Sequence, residues 1–116
     1  MAITLYGIPN CDTMKKARVW LDQAKIAYVF HDYKKQGIDA KTLTAWARKV
    51  GWEVLLNKAG TTFRGLSDAQ KANIDEKKAI ALMLEMPGMI KRPVLDKDGA
   101  IHVGFKPDAY AQIFKK

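Results

Sequence analysis

Residues 4–13 read Thr4-Leu5-Tyr6-Gly7-Ile8-Pro9-Asn10-Cys11-Asp12-Thr13. A short apolar strand pattern passes through a Gly/Pro/Asn turn and enters a pattern of apolar residues at helical spacing. The stretch therefore predicts a strand, a turn and a helix, with Cys11 at or beside the helix N-terminus. Unpaired backbone N–H groups and the helix dipole favour negative charge there. Because the thiolate is the reactive form of cysteine, this position favours a reactive thiol over the alternative, a half-buried structural cysteine.

The length and cysteine content indicate one compact domain over residues 1–116. The chain has a single cysteine, which cannot form an intramolecular disulfide. A chain of 116 residues buries enough surface to fold without a disulfide or a metal. With no signal peptide or long apolar segment in the sequence, we expect a cytoplasmic protein that does not bind a membrane.

The net charge of +8 raises the question of nucleic-acid binding. The basic residues occur as scattered pairs, however, without a basic tail, zinc-ligand spacing or an aromatic RNA-binding signature. We therefore predict no direct nucleic-acid binding. A basic surface does attract small anionic partners, including glutathione and oxyanions.

The first third of the chain predicts a βαβ unit. Residues 2–6 alternate in polarity as a strand does, residues 12–26 repeat apolar side chains at helical spacing, and residues 28–31 form a second strand candidate. Asn10, Asp12 and Thr13 offer side chains that can cap the helix. A strand, a helix of this length and another strand form a right-handed parallel unit.

A helical insertion is expected over about residues 39–88. Asp39 and Asp75 are positioned to cap helices, and Ser67 opens a capping box. Residues 58–65 are polar and punctuated by glycine, which predicts a loop.

The last third predicts a β-hairpin and a closing helix. Two apolar segments flank a turn at residues 96–99, and Pro107 is suited to the first turn of a helix. The order βαβ, helical insertion, β-hairpin and C-terminal helix predicts an α/β protein with a thioredoxin-like fold, by pattern and by analogy.

Besides residues 5–13, three segments carry a family resemblance: Leu55-Leu56-Asn57-Lys58, Lys91-Arg92-Pro93-Val94 and Val103-Gly104-Phe105-Lys106-Pro107. In order and spacing the chain resembles the arsenate reductase (ArsC-like) family, and most closely its YffB-like branch of small reductases. The resemblance spans almost the whole chain. It implies a thioredoxin-like core, no bound cofactor, and glutathione as co-substrate alongside a small oxidised or anionic substrate.

The resemblance also implies roles for individual residues. Cys11 matches the nucleophilic cysteine of the family, and Arg92 matches an arginine that faces the thiolate and its oxyanion adduct. Pro93 stands where thioredoxin-like folds place a cis proline. A guanidinium near Cys11 would lower the pKa of the thiol and offer donors to an oxyanion or carboxylate. Without the resemblance, the pattern would favour a surface position for Arg92 ahead of an edge strand.

Further candidates for binding glutathione or substrate lie beside the cysteine or match family positions: Asn10, Thr13, Lys15, Asn57, Lys58, Pro93 and Lys106. At the helix start, the Thr13 hydroxyl or amide can bond the Cys11 sulfur, and simple capping is an equal alternative.

Four positions depart from the arsenate reductases of the family. A histidine is replaced by Gly7, and three arginines are replaced by Lys15, Asn57 and Lys106. Lysine keeps the charge but loses the planar bidentate fork that suits a tetrahedral oxyanion. Lys58, or less directly Arg64, is a partial replacement for the arginine that is missing at position 57. The sequence therefore does not predict efficient arsenate reduction.

Together these features predict a thiol-dependent oxidoreductase that uses glutathione and one nucleophilic cysteine to reduce a mixed disulfide or an oxyanion. A second hypothesis is a redox-responsive regulator of the Spx branch, which binds RNA polymerase. Spx proteins typically carry a C-x-x-C switch, whose second position is Met14 here. A third is a family member without catalysis. His31 and His102 have no partner at ligand spacing, so no metal site is predicted.

Overall fold

The computed structural model describes residues 2–116 and contains one four-stranded sheet. Strand β1 (Ile3–Gly7), helix α1 (Asp12–Gln23) and strand β2 (Val29–Asp32) form the predicted parallel βαβ unit. Strands β3 (Val94–Lys97) and β4 (Ala100–Val103) form the predicted antiparallel hairpin, and β3 pairs with β1. The strand order is therefore β2-β1-β3-β4.

The described residues divide into two compact units. The first contains the residues up to Gln36 together with Arg92–Lys116, and so holds the sheet and α1. It also holds the short helix α2 (Tyr33–Gln36) and the closing helix α8 (Pro107–Phe114), whose first residue is the expected proline. The second unit, Gly37–Lys91, covers the stretch in which a helical insertion was expected.

The second unit contains five α-helices and a 3₁₀ helix: α3 (Ala40–Val50), α4 (Trp52–Leu55), α5 (Thr61–Arg64), α6 (Asp68–Lys71), α7 (Glu76–Glu85) and Pro87–Met89. The caps predicted for this unit are all present. Asp39 and Asp75 each accept a hydrogen bond from the backbone N–H three residues later, at 2.7 and 2.8 Å. Ser67 and Gln70 form a reciprocal capping box at 3.2 and 2.9 Å. Each cap satisfies backbone donors that the helix leaves unpaired.

The core of the first unit follows from the two periodicities of the βαβ segment. Alternate residues of β1 are buried, and Met14, Ala17 and Leu21 bury one face of α1. They pack with Leu95 and Tyr110, which come from β3 and α8. Full burial of each large apolar side chain contributes about 1.5–3 kcal/mol, so this cluster holds the helix against the sheet.

Several boundaries differ from those expected. Helix α1 ends at Gln23 rather than near residue 26, because Lys25 adopts a left-handed conformation (φ +59°). The hairpin turn is narrower than residues 96–99: β3 runs to Lys97, and Asp98 and Gly99 make the turn with φ of +52° and +91°.

Two short helices were missed by the sequence analysis. The loop predicted at residues 58–65 is wrong over Thr61–Arg64, which form α5. Tyr33–Gln36 form α2, where the Lys34 N–H donates to the Asp32 carboxylate at 2.9 Å. Four residues are too few for an apolar repeat to show a helical period. Among the described helices, none combines the length and apolar character needed to cross a membrane.

Candidate functional site

One edge of the sheet gathers the chain segments that carry the predicted site of the first unit. The parallel strands β1 and β2 both end at this edge, with Gly7 opposite Asp32. Strand β3 begins there and β4 ends there, because both run antiparallel to their neighbours. Cys11 follows β1, Tyr33 follows β2, Arg92 precedes β3, and Lys106 follows β4. The topology thus brings together residues from distant parts of the sequence.

Cys11 begins helix α1, as the sequence predicts. Cys11 itself is the N-cap, with an extended backbone (φ −110°, ψ 130°), in place of the expected caps Asn10, Asp12 and Thr13. Its carbonyl oxygen accepts the first helical hydrogen bond, from the Lys15 N–H at 3.0 Å. The residue is half-buried, and its sulfur lies against the backbone N–H groups at the start of the helix.

The surroundings of Cys11 favour its ionised form. Burial raises the pKa of the thiol, but four stabilising interactions outweigh it, and the pKa lies below its ordinary value. They are the backbone N–H of Met14, a hydrogen bond from the Arg92 side chain, the backbone N–H of Thr13 and the positive charge of Arg92. These donors bond a thiolate better than a thiol. Thr13 therefore acts on the sulfur through its amide.

The chain immediately after Arg92 is tied to the loop that follows β4. The Arg92–Pro93 peptide bond is cis, as the resemblance implies. The Pro93 carbonyl oxygen accepts a hydrogen bond from the Gly104 N–H at 2.8 Å, which ties the start of β3 to the loop after β4. Arg92 is half-buried, and its Nε is shielded from solvent. A guanidinium fixed in this way can stabilise negative charge at the Cys11 sulfur.

Sequence reasoning missed Tyr33, which lies at the same edge of the sheet. Its side chain is 1% exposed, and its ring stacks on that of Tyr6 at 6.3 Å between centroids. Burial raises the pKa of Tyr33, and the charge of Arg92 opposes that rise, so the two side chains interact electrostatically. The sequence signal that could have found Tyr33 is its position directly after β2, because residues that follow adjacent parallel strands lie at the same edge of the sheet.

Gly7 and Met14 are coupled by packing. A Cβ atom placed on Gly7 would lie 2.3 Å from the Met14 Sδ and 2.6 Å from its Cε. Met14 is fully buried in the core, which restricts its movement. A larger residue at position 7 is therefore incompatible with the present position of Met14. Gly7 and Met14, two positions at which the sequence departs from the patterns it resembles, therefore touch each other.

Three other predicted binding residues lie at the surface of the first unit. Asn10 and Lys15 are exposed on either side of Cys11 along the chain. Lys106 is the exposed N-cap of α8, and its carbonyl oxygen accepts a hydrogen bond from the Tyr110 N–H at 3.0 Å. Lys15 and Lys106 therefore present positive charges at the surface, without the planar donor geometry of an arginine.

The remaining two predicted binding residues, Asn57 and Lys58, belong to the second unit. The Asn57 N–H donates to the Met89 carbonyl oxygen at 2.8 Å. The Lys58 ammonium lies 5.7 Å from the centroid of the Trp52 ring, in a cation–π arrangement. The structure therefore shows local roles for both within the second unit.

The two histidines have packing environments. The His31 ring lies 4.7 Å from that of Tyr6, and His102 lies in β4 opposite Leu95. Within residues 2–116, no group of three or more His, Cys, Asp or Glu side chains is arranged to hold a metal ion.

A sheet of order β2-β1-β3-β4, a cysteine at the start of the first helix and a cis proline before β3 define a thioredoxin-like protein. The chain belongs to the ArsC family, whose sequence model matches residues 6–113. Both the fold and the family predicted from the sequence are therefore confirmed.

Solved structures and curated relatives agree with this assignment. The YffB protein is 62% identical, covers 96% of this chain and 97% of its own, and superposes with a TM-score of 0.93. An arsenate reductase (ArsC) related protein from Brucella melitensis is 56% identical, covers 100% of this chain and 97% of its own, and has a TM-score of 0.80.

Among curated proteins, an uncharacterized protein of Haemophilus influenzae is 42% identical over 97% of this chain and 98% of its own. The global transcriptional regulator Spx 1 of Lactococcus lactis is 28% identical over 91% of this chain and 84% of its own. The proteins similar to this chain therefore include one named as related to an arsenate reductase and one named as a transcriptional regulator.

Proposed function

We propose that this protein is a glutathione-dependent thiol oxidoreductase whose nucleophile is Cys11. The observation that carries the proposal is the hydrogen bond from Arg92 to a cysteine at a helix N-terminus, which lowers the pKa of the thiol. An activated thiolate is the form that attacks a disulfide sulfur. The ArsC family membership supports a redox role for this thiol.

The proposed cycle has two exchange steps. The Cys11 thiolate attacks the glutathione sulfur of a mixed disulfide R–S–S–G, forming Cys11–S–S–G and releasing R–S⁻, which takes a proton from water. A glutathione thiolate then attacks the Cys11-linked sulfur, releasing oxidised glutathione and the Cys11 thiolate. One substrate disulfide is reduced and one glutathione disulfide is formed. Arg92 and the Met14 and Thr13 amides stabilise the thiolate that leaves at the end of each cycle.

Charge at the sheet edge supports glutathione as the co-substrate. Glutathione carries two carboxylates, and the exposed Lys106 and Lys15 stand on segments next to the cysteine site. We propose that they attract these carboxylates by charge rather than through a fixed fork. The cycle consumes reduced glutathione, so we place it in the cytoplasm.

An oxyanion substrate is the less favoured form of the same proposal. A tetrahedral oxyanion is best bound by several bidentate donors, and Arg92 is the arginine whose side chain interacts with Cys11. Bidentate binding of an oxyanion would require arginine side chains at the positions that Lys15 and Lys106 occupy. Arsenate is therefore expected to be reduced slowly compared with a mixed disulfide.

The test measures turnover of a small glutathione mixed disulfide, such as that of 2-mercaptoethanol, in the presence of reduced glutathione. The oxidised glutathione that forms is reduced by NADPH and added glutathione reductase, and NADPH consumption gives the rate. The wild type is expected to turn over and to form one glutathione adduct by intact mass. Cys11→Ser should lose both, because it removes the only thiol. Unchanged turnover in Cys11→Ser would refute the proposed mechanism.

A regulatory function is the second candidate, favoured by the 28% identity to Spx 1 over 91% of this chain. In that case the protein would bind RNA polymerase, and the redox state of Cys11 would alter binding. Purified RNA polymerase can be tested with the reduced and the glutathionylated protein. Binding that depends on the Cys11 adduct, without mixed-disulfide turnover, would favour the regulator over the enzyme.

A further inference from the structure

A shallow groove runs along one side of α1, in the same unit as Cys11. It has a volume of about 350 Å³ and lies between α1 and the segment that joins β4 to α8. Val19 and Trp20 form its α1 side, and Phe105 and Pro107 form the other. Val19 is 53% exposed and is one of three exposed large hydrophobic residues in the described chain. The surface that lines the groove is predominantly apolar.

The aromatic floor of the groove is fixed from below. Tyr110 is 1% exposed, and its ring makes edge-to-face contacts with Phe105 at 4.7 Å and with Trp20 at 5.6 Å. One buried ring therefore holds the two aromatic side chains of the floor. A surface that is already ordered loses little conformational entropy when a ligand binds.

The rim of the groove is positively charged. Lys15 and Lys16, both exposed, line the end of the groove nearest Cys11, and no acidic residue lines it within the described chain. An apolar floor beside two ammonium groups is complementary to apolar side chains flanked by carboxylates. A cationic ligand would lose the attraction to the two ammonium groups, and a purely polar ligand would lose the contact with the apolar floor.

The groove begins one helical turn from the cysteine. At 1.5 Å of rise per residue, Lys15 and Gln23 lie roughly 6 and 18 Å from Cys11 along the helix axis, so the groove is roughly 12 Å long. An extended peptide advances about 3.3 Å per residue, so about four residues fit. The open shape suits a surface segment better than a small molecule, which would normally be largely enclosed.

We infer that this groove binds an extended acidic and apolar segment of a protein substrate, next to the oxidised cysteine that Cys11 reduces. The inference rests on the proposed function. It names protein mixed disulfides as the substrate class and gives this chain a preference for acidic sequence around the target cysteine.

The first experiment measures binding without chemistry. A fluorescein-labelled eight-residue peptide of alternating Leu and Glu, with Ser at its centre, is titrated with the Cys11→Ser protein by anisotropy. We expect binding that weakens with salt, and at least about tenfold weaker binding when Lys replaces Glu or Ser replaces Leu in the peptide. Equal affinity for all three peptides would overturn the inference.

Two substitutions locate the binding surface. Val19→Asp places a carboxylate on the exposed α1 side of the groove and should weaken binding of the acidic peptide about tenfold or more. Val54→Asp is the matched control, since Val54 is 43% exposed and lies in the second unit. Lys16→Gln should reduce both the affinity and its salt dependence, whereas Lys41→Gln, at an exposed lysine of α3, should change neither. Equal effects of Val19→Asp and Val54→Asp would also overturn the inference.

Turnover separates this inference from the proposed function. With a cysteine at the centre of the peptide as its glutathione mixed disulfide, Val19→Asp should lower kcat/KM about tenfold. Turnover of the 2-mercaptoethanol mixed disulfide should stay unchanged, because that substrate does not reach the groove. Equal loss on both substrates would contradict the groove assignment while leaving the enzyme proposal intact. Failure of the wild type on both would instead overturn the proposed function.

Discussion

The Arg92 side chain hydrogen-bonds the sulfur of Cys11, although the two residues lie near opposite ends of the chain. The contact exists because β1 ends and β3 begins at the same edge of the sheet, with Tyr6 opposite Val94. Neither strand alone brings a positive charge to the thiol. The share of the lowered Cys11 pKa that comes from Arg92 thus depends on the antiparallel pairing of β1 with β3.

The first prediction concerns the pH dependence of alkylation. Arg92 lowers the pKa of Cys11 both by hydrogen bonding and by charge, so Arg92→Ala should move the midpoint of the alkylation rate to higher pH. Iodoacetamide labelling followed by intact mass measures the midpoint, and the single thiol makes the signal unambiguous. Lys91→Ala removes a neighbouring exposed charge and should leave the midpoint near that of the wild type. Identical midpoints for Arg92→Ala and the wild type would count against the contact.

The second prediction is the pH dependence of stability. Because the pKa of Cys11 is lower in the folded protein than in the unfolded chain, the unfolded chain binds more protons between the two pKa values. The stabilisation is full above the unfolded pKa and disappears as the pH falls through the folded pKa. The free energy of unfolding of the wild type, relative to Cys11→Ala, should therefore increase as the pH rises across this window. Urea unfolding at several pH values tests it, and a constant difference would contradict it.

The third prediction concerns the contact between Gly7 and Met14. Gly7→Ala should destabilise the protein by about 1–3 kcal/mol, because the added methyl group overlaps the buried Met14 side chain. In a Met14→Ala background, the same change should cost much less, since the obstructing atoms are absent. Gly65→Ala is a suitable control, because its φ is −76° and the nearest atom to an added Cβ is 3.4 Å away. Additive effects of Gly7→Ala and Met14→Ala would show that the two positions are not coupled.

The fourth prediction compares two tyrosine hydroxyls. The Tyr110 hydroxyl is buried and has no hydrogen-bond partner within residues 2–116. Tyr110→Phe should therefore be neutral or stabilise the fold by up to about 1 kcal/mol, since it removes an unpaired polar group. Tyr28→Phe should instead cost about 0.5–1.5 kcal/mol, because the Arg18 Nε donates to its hydroxyl at 3.2 Å. Thermal or urea unfolding measures the stability of both variants. A larger loss of stability for Tyr110→Phe than for Tyr28→Phe would contradict the prediction.

Most of the fold was predictable because its elements carry local signals. The alternation of β1, the apolar repeat of α1 and the caps at Asp39, Ser67 and Asp75 all depend on neighbouring residues. The elements that were missed, α2 and α5, are too short for such a repeat. The end of α1 was predicted too late because the left-handed residue after it is Lys25, and a lysine does not indicate a left-handed conformation in the sequence as glycine or asparagine does.

The candidate site was predictable only in part. The position of Cys11 at a helix start follows from the local sequence, whereas Arg92 was identified through a family resemblance. Tyr33 was overlooked, because its place beside Arg92 depends on the pairing of β1 with β2 and of β1 with β3. Long-range pairing leaves little trace in local composition.

The sequence by itself determined where the thiol lies on its own helix, because capping positions and helix dipoles depend on residues within one turn. It also determined the family, since the matching segments are spread along the chain. Only the tertiary structure decided which groups face the sulfur, why Met14 excludes a side chain at Gly7, and that Tyr110 builds an apolar groove beside α1. These features depend on contacts between residues far apart in sequence, and such contacts exist only once the sheet and its helices have packed.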